Sequence, residues 1–204
     1  MKDIATGRRT FLKTATAAVG AVIVKPGSVF GAPANSTPQL GIIGCGGRGK
    51  YVGRFFNELT DAKIVALSDP FEDRVEDAKG TFQEDNPRTY VGLESYKDLI
   101  QSDVDAVAIT SPPYYHPAQV AKAVDAGKHV FMAKPVAVDA PGCLSIAESS
   151  RRAAVKKINF LVDFQTRSSP AFIETAKRVH QGDIGDPVCG QIFYHTGRLN
   201  PRNT

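Results

Sequence analysis

Gly41-Ile42-Ile43-Gly44-Cys45-Gly46-Gly47-Arg48-Gly49 joins an apolar run of strand length to a segment of helical period. The run Gln39–Gly44 reads as a buried strand, and Tyr51, Val52, Phe55, Phe56 and Leu59 recur on one face of the helix expected after it. Between the two, Gly44, Cys45, Gly46, Gly47, Arg48 and Gly49 fit G-x-G-x-x-G in the setting where that pattern has a mechanism. Gly44 permits a tight turn, Gly46 lets backbone approach a pyrophosphate, and Gly49 allows the helix to pack closely on the strand. The helix then offers the phosphates its free N–H groups and the positive end of its dipole.

A second strand, Lys63–Asp69, ends in an acid twenty residues after the last glycine. At that place a carboxylate accepts hydrogen bonds from the adenosine ribose hydroxyls. The plainer alternative makes Asp69 a cap or turn residue ahead of Pro70. Because Pro70 rather than Arg or Lys follows, a ribose 2′-phosphate would meet a carboxylate without an adjacent cation, so NAD is favoured over NADP.

Outward from this unit, strand-length apolar runs keep alternating with helical periods. A helix is expected at Asp73–Phe82, a strand at Arg88–Val91, a short helix at Tyr96–Gln101 and a strand at Val104–Thr110. A helix over His116–Ala126, a strand at His129–Ala133, a helix at Pro141–Val155 with Leu144, Ile146 and Ala147 inward, and a strand at Ile158–Phe164 follow. Repeated βαβ units of this kind predict an α/β fold, a doubly wound Rossmann parallel sheet. Beyond Gln165 come a helix at Pro170–His180 and a strand at Pro187–Tyr194, read as the truncated start of an α+β second domain. The domain expectation is therefore a leader at 1–34, a dinucleotide-binding domain at 35–157, and its last strand with the opening of a second domain at 158–204.

Charge points to the leader. The chain has 204 residues, 25 Lys and Arg, and 21 Asp and Glu; five of the bases and one of the acids lie in residues 1–34, which leaves 20 of each in the remainder. The body has no basic stripe, only short pairs such as Arg151-Arg152, so no nucleic-acid partner is expected. Arg8-Arg9-Thr10-Phe11-Leu12-Lys13, a short Ala-rich apolar run and Ala32-Pro33-Ala34 read as a twin-arginine signal with a cleavage site, which predicts export to the periplasm of an already folded protein. Its apolar run is too short to span a bilayer, so no stable membrane insertion is expected after processing. A basic amphipathic helix or tail is the alternative. Cys45, Cys143 and Cys189 form no C-x-x-C pair and suggest neither disulfides nor a metal site; they read as buried packing residues.

In a doubly wound sheet, ligands sit beyond the carboxyl ends of the strands, which places Thr110, Ser111 and Pro112 over the cofactor. His116 follows, and from spacing alone it reads as a capping or surface histidine. Lys134, just past the fifth strand and before Pro135, either donates to a substrate oxygen near the nicotinamide or is an exposed loop lysine.

The glycine segment, Asp105-Ala106-Val107-Ala108-Ile109-Thr110 with Pro112 and His116, and Ala126-Gly127-Lys128-His129-Val130-Phe131 leading to Lys134-Pro135 together resemble the Gfo/Idh/MocA oxidoreductase family over about residues 38–195. The resemblance implies a Rossmann domain that binds NAD(P), followed by an open-faced sheet domain that binds sugars or polyols and through which members associate as homo-oligomers. It implies that Lys134 and Pro135 belong to the family's Glu-Lys-Pro motif, whose lysine contacts nicotinamide and the substrate hydroxyl, and that His116 is the histidine of the loop after strand four. The chain departs from the family at Ala133, which replaces the motif's glutamate, and no Asp/His pair matching the second-domain base occurs within the 204 residues. The expected function is hydride transfer between nicotinamide and a sugar or polyol; the alternative is a non-catalytic exported NAD- or sugar-binding module.

Overall fold

The computed structural model describes residues 37–195, so the expected leader lies outside the described residues. Six strands form one sheet: β1 Gln39–Ile43, β2 Lys63–Asp69, β3 Arg88–Val91, β4 Ala106–Ile109, β5 His129–Ala133 and β6 Phe160–Asp163. Every pairing is parallel, and the order is β3-β2-β1-β4-β5-β6. The chain thus winds outward from β1 to β3, then returns to the other side of β1 and winds outward again. This reversal between β1 and β4 leaves a crevice at the carboxyl ends of the central strands.

Helices α1 Gly47–Leu59, α2 Glu72–Thr81, α3 Tyr96–Gln101, α4 His116–Asp125 and α5 Ala140–Val155 make the crossovers. Neighbouring side chains of a strand face opposite ways, and β1 shows it: Ile42 joins Val52, Ile64, Leu67, Val75 and Phe82 on one face, whereas Ile43 joins Leu99, Ile109, Val120, Val124 and Met132 on the other. The two apolar layers sandwich the sheet, and burial of this kind is the main favourable term in folding.

Several expectations need correction. In α5 the inward stripe is Ile146, Ser149 and Ala153, while Leu144 and Ala147 are exposed. The small side chains at 149 and 153 let α5 lie against α4, and Leu144 projects to another side of the helix. Of the apolar face expected on α1, Val52 is buried and Phe56 half-buried, whereas Tyr51, Phe55 and Leu59 are exposed because the apolar stripe is wider than its contact with the sheet. The strand expected at Pro187–Tyr194 does not form. Residues 187–195 carry no strand assignment, with Val188 and Ile192 almost fully open to solvent, and among the described residues no strand pairs with them. Helix α6, Pro170–His180, begins with Pro and is followed by Gly182 in left-handed conformation, as its sequence indicates. Only Cys45 among the cysteines is buried; Cys143 and Cys189 are exposed on α5 and in the irregular tail. Among the described residues no helix is long and apolar enough to cross a membrane.

Candidate functional site

The glycine loop is built by exclusion of side chains. β1 passes into Gly44 at φ +95°, where a Cβ would come within 2.6 Å of the Ser111 nitrogen. At Gly49 a Cβ would lie 2.0 Å from the Gly44 oxygen and 3.0 Å from Thr110 Oγ1, so the first turn of α1 is pressed onto the loop. Thr110 Oγ1 donates to the Gly44 oxygen at 2.7 Å and locks the turn from the β4 side. Helix α1 starts after Gly46 with no side-chain cap and no acid in its first turn. Its leading N–H groups and the positive dipole end remain for an anion, which fits the pyrophosphate of a dinucleotide.

Asp69, at the end of β2, is buried. Its Oδ2 accepts from the Cys45 backbone N–H at 2.8 Å and its Oδ1 from that of Phe71 at 3.0 Å. Each carboxylate oxygen can accept a further bond, which is what two ribose hydroxyls require. The carboxylate opens onto a cleft of about 200 Å³ lined by residues including Gly44, Phe71, Arg74, Tyr96, Ser111 and Gln119. Beneath the loop, burial and the Asp69 carboxylate push the Cys45 thiol up to about 12. That thiol stays protonated and packs, with Sγ 3.5 Å from the Ser68 oxygen, and it is no nucleophile.

Across the switch point, Thr110, Ser111 and Pro112 follow β4 as expected; Ser111 and Pro112 line the cleft. Ser111 Oγ donates to Gln119 Oε1 at 2.6 Å. His116, the first residue of α4, stands behind these loops and is fully buried. Its Nε2 lies 2.8 Å from the Ser111 oxygen and its Nδ1 3.0 Å from the Pro135 oxygen. A neutral ring donates to one of these carbonyls and an imidazolium to both. Burial pushes the pKa of His116 down, against the upward pull of the Ser111, Pro135 and Val136 carbonyls.

Lys134 is exposed beyond β5, and the Lys134–Pro135 peptide is cis. Arg48 sends its guanidinium to Asp163, the last residue of β6, and over the Tyr51 ring. Its place in the glycine loop therefore offers backbone to a ligand while its side chain ties α1 to β6. Of the remaining histidines, His129 accepts from the Asn159 N–H, and His180 and His195 are exposed. Among the described residues no group of His, Cys, Asp and Glu could hold a metal ion.

Two cleft residues were not singled out from the sequence. Arg74, one turn into α2, lies with its guanidinium 5.0 Å from the centre of the Phe71 ring, so a cation does reach the cleft although none follows Asp69 directly. Gln119 is one helical turn after His116, a spacing that puts both on the inner face of α4. Residue order near Asp69 hid the first; the second was visible only as part of a helical period.

Residues 39–159 match the Gfo/Idh/MocA family, described as an oxidoreductase family with an NAD-binding Rossmann fold. The chain is 31% identical to an inositol 2-dehydrogenase/D-chiro-inositol 3-dehydrogenase of Halalkalibacterium halodurans, over 74% of this chain and 42% of that one. It is 32% identical to an inositol 2-dehydrogenase of Burkholderia multivorans, over 82% of this chain and 49% of that one. A crystal structure of scyllo-inositol dehydrogenase from Lactobacillus casei with bound NAD(H) and scyllo-inositol superposes with a TM-score of 0.62 at 30% identity, over 74% of this chain and 43% of that one. The chain spans about half the length of the curated relatives it matches or somewhat less.

Proposed function

The chain belongs to the Gfo/Idh/MocA oxidoreductase family and carries its NAD-binding Rossmann domain, and from that premise we propose that the protein serves hydride transfer between NAD and a hydroxyl of a sugar or polyol. The observation that carries this reading is the buried Asp69 carboxylate, held at the glycine loop by the Cys45 N–H and lining the cleft, where each oxygen can accept a further hydrogen bond. Bound NAD would supply the hydride acceptor. The N–H groups at the start of α1 hold the pyrophosphate, and Asp69 holds the adenosine ribose. Lys134 reaches from β5 towards the reacting end and takes part in moving the hydroxyl proton as the carbon becomes a carbonyl. The inositol dehydrogenases among its relatives make a cyclic polyol the first substrate to test. Calorimetric titration of the full chain with NAD, and absorbance of reduced nicotinamide on addition of myo-inositol, test binding and turnover separately. No binding of NAD at millimolar concentration defeats the proposal.

We further propose that residues 1–34 export the folded protein by the twin-arginine route, that the dinucleotide-binding domain ends with its last strand, β6, and that a second domain following it mediates self-association. The Arg8-Arg9 pair before an apolar run and a small-residue site supports export. A protein exported after folding can carry NAD out already bound. Fusion of residues 1–34 to a reporter that folds in the cytoplasm tests this: periplasmic reporter that is lost when Arg8 and Arg9 are both changed to Lys supports it, and a cytoplasmic reporter defeats it.

A further inference from the structure

The loop that lines the nucleoside cleft and the loop that carries Lys134 come from different strands, and the sheet ladder ends before either. Between them stands the side chain of His116. His116 is fully buried, and its two ring nitrogens face one carbonyl in each loop, Ser111 at 2.8 Å and Pro135 at 3.0 Å. Pro135 is the residue next to Lys134, so the contact fixes the backbone one step from the lysine. Ser111 is held from the other side as well, through its hydroxyl on Gln119, which lines the cleft. A continuous series therefore runs from the cleft through Gln119, Ser111 and His116 to the Pro135 carbonyl, in the residue that follows Lys134. An apolar side chain in place of His116 would leave the carbonyl that accepts the ring's N–H without this partner and would take away the polar ring that stands between the two loops.

We propose that His116 is a positioning residue: it touches neither cofactor nor substrate and presents Lys134 to the nicotinamide half of the site by tying the Lys134 loop to the loop after β4. The proposal rests on the reading of the cleft as a dinucleotide site. A side chain that merely filled the core would, when altered, weaken every ligand together. A positioning residue instead weakens only ligands that reach Lys134. ADP-ribose and NADH separate the two cases, because ADP-ribose carries the adenosine and pyrophosphate but lacks the nicotinamide.

The test titrates the full chain, His116→Phe and His116→Asn with both nucleotides, with thermal unfolding of each variant alongside. The expected result is an NADH affinity about tenfold lower in His116→Phe, the scale of one lost hydrogen bond to a positioned group, with ADP-ribose affinity within twofold of the parent. His116→Asn, which keeps an N–H donor, should recover part of the loss. In a Lys134→Ala background the same His116 changes should have no further effect on NADH, since the lysine they position is gone. Equal losses for both nucleotides, an unchanged NADH affinity, or an undiminished effect in the Lys134→Ala background each overturn the proposal. If His116→Phe does not fold, His116→Asn carries the comparison with the same direction and a smaller expected loss of NADH affinity. Failure of the parent chain to bind ADP-ribose as well as NADH overturns the dinucleotide reading itself, and with it this inference; ADP-ribose binding with unaltered selectivity in the variants overturns only the role of His116.

Discussion

The two halves of the proposed site are made by different means. The half beside β1 and β2 is made mostly of backbone, with glycines that exclude a Cβ and an uncapped helix start, and its buried carboxylate is held by main-chain N–H groups on both oxygens. The half beside β4 and β5 is made of side chains, an exposed lysine on a loop held by a buried histidine. Backbone geometry tolerates little substitution because there is nothing to repack. A site made of side chains can change its ligand while the fold stays the same, which is how one fold serves many substrates.

Four experiments sharpen or break this contrast. The largest effect is expected at Gly49→Ala, whose methyl would sit on the Gly44 oxygen: binding of NADH and ADP-ribose should be lost together, and unfolding should show a stability lower by about 3 kcal/mol. Asp69→Asn turns an amide against one of two backbone N–H groups, and both nucleotides should bind about thirtyfold more weakly, some 2 kcal/mol. Equal affinity in the parent and this variant would remove Asp69 from the site. Lys134→Ala should leave ADP-ribose binding and the unfolding midpoint unchanged, since the side chain is exposed, while NADH affinity falls about tenfold. A matching fall for ADP-ribose would erase the distinction between the halves.

An effect confined to alkaline pH, and absent at neutral pH, is expected at Cys45. The folded Cys45 thiol has its pKa raised from 9.0 to about 12. Between those values the unfolded chain gives up a proton that the folded chain retains, so stability falls as pH rises through this window and is unaffected by this group below it. A single proton contributes at most about 1.4 kcal/mol per pH unit. Cys45→Ala should flatten the alkaline slope of the urea midpoint, and a thiol reagent at neutral pH should modify Cys143 and Cys189 while sparing Cys45.

The contrast also explains what could be read from the residues. Strand-length apolar runs and glycine spacing report on the backbone, so the six-stranded sheet, the loop at Gly44–Gly49 and the acid at the end of β2 were all legible. On α5 Ile146 is buried as expected, but the small residues Ser149 and Ala153 complete the inward stripe, whereas Leu144 and Ala147 are exposed. The expected strand at 187–194 had the composition of a strand, yet a ladder needs a neighbour, and composition carries no information about neighbours. His116 was placed in its loop correctly, but spacing pointed to a cap or the surface. Its burial depends on Ser111 and Pro135, five residues before it and nineteen after it, being brought to either side of one ring.

The double engagement of Asp69 has a kinetic consequence. Main-chain bonds to Cys45 and Phe71 hold the turn and the start of the next connection in place without any ligand, so the adenosine half needs no ordering on encounter. Association should then resemble rigid docking, with a single exponential whose rate rises linearly with nucleotide concentration, and differences in affinity between nucleotides should reside in how slowly they leave.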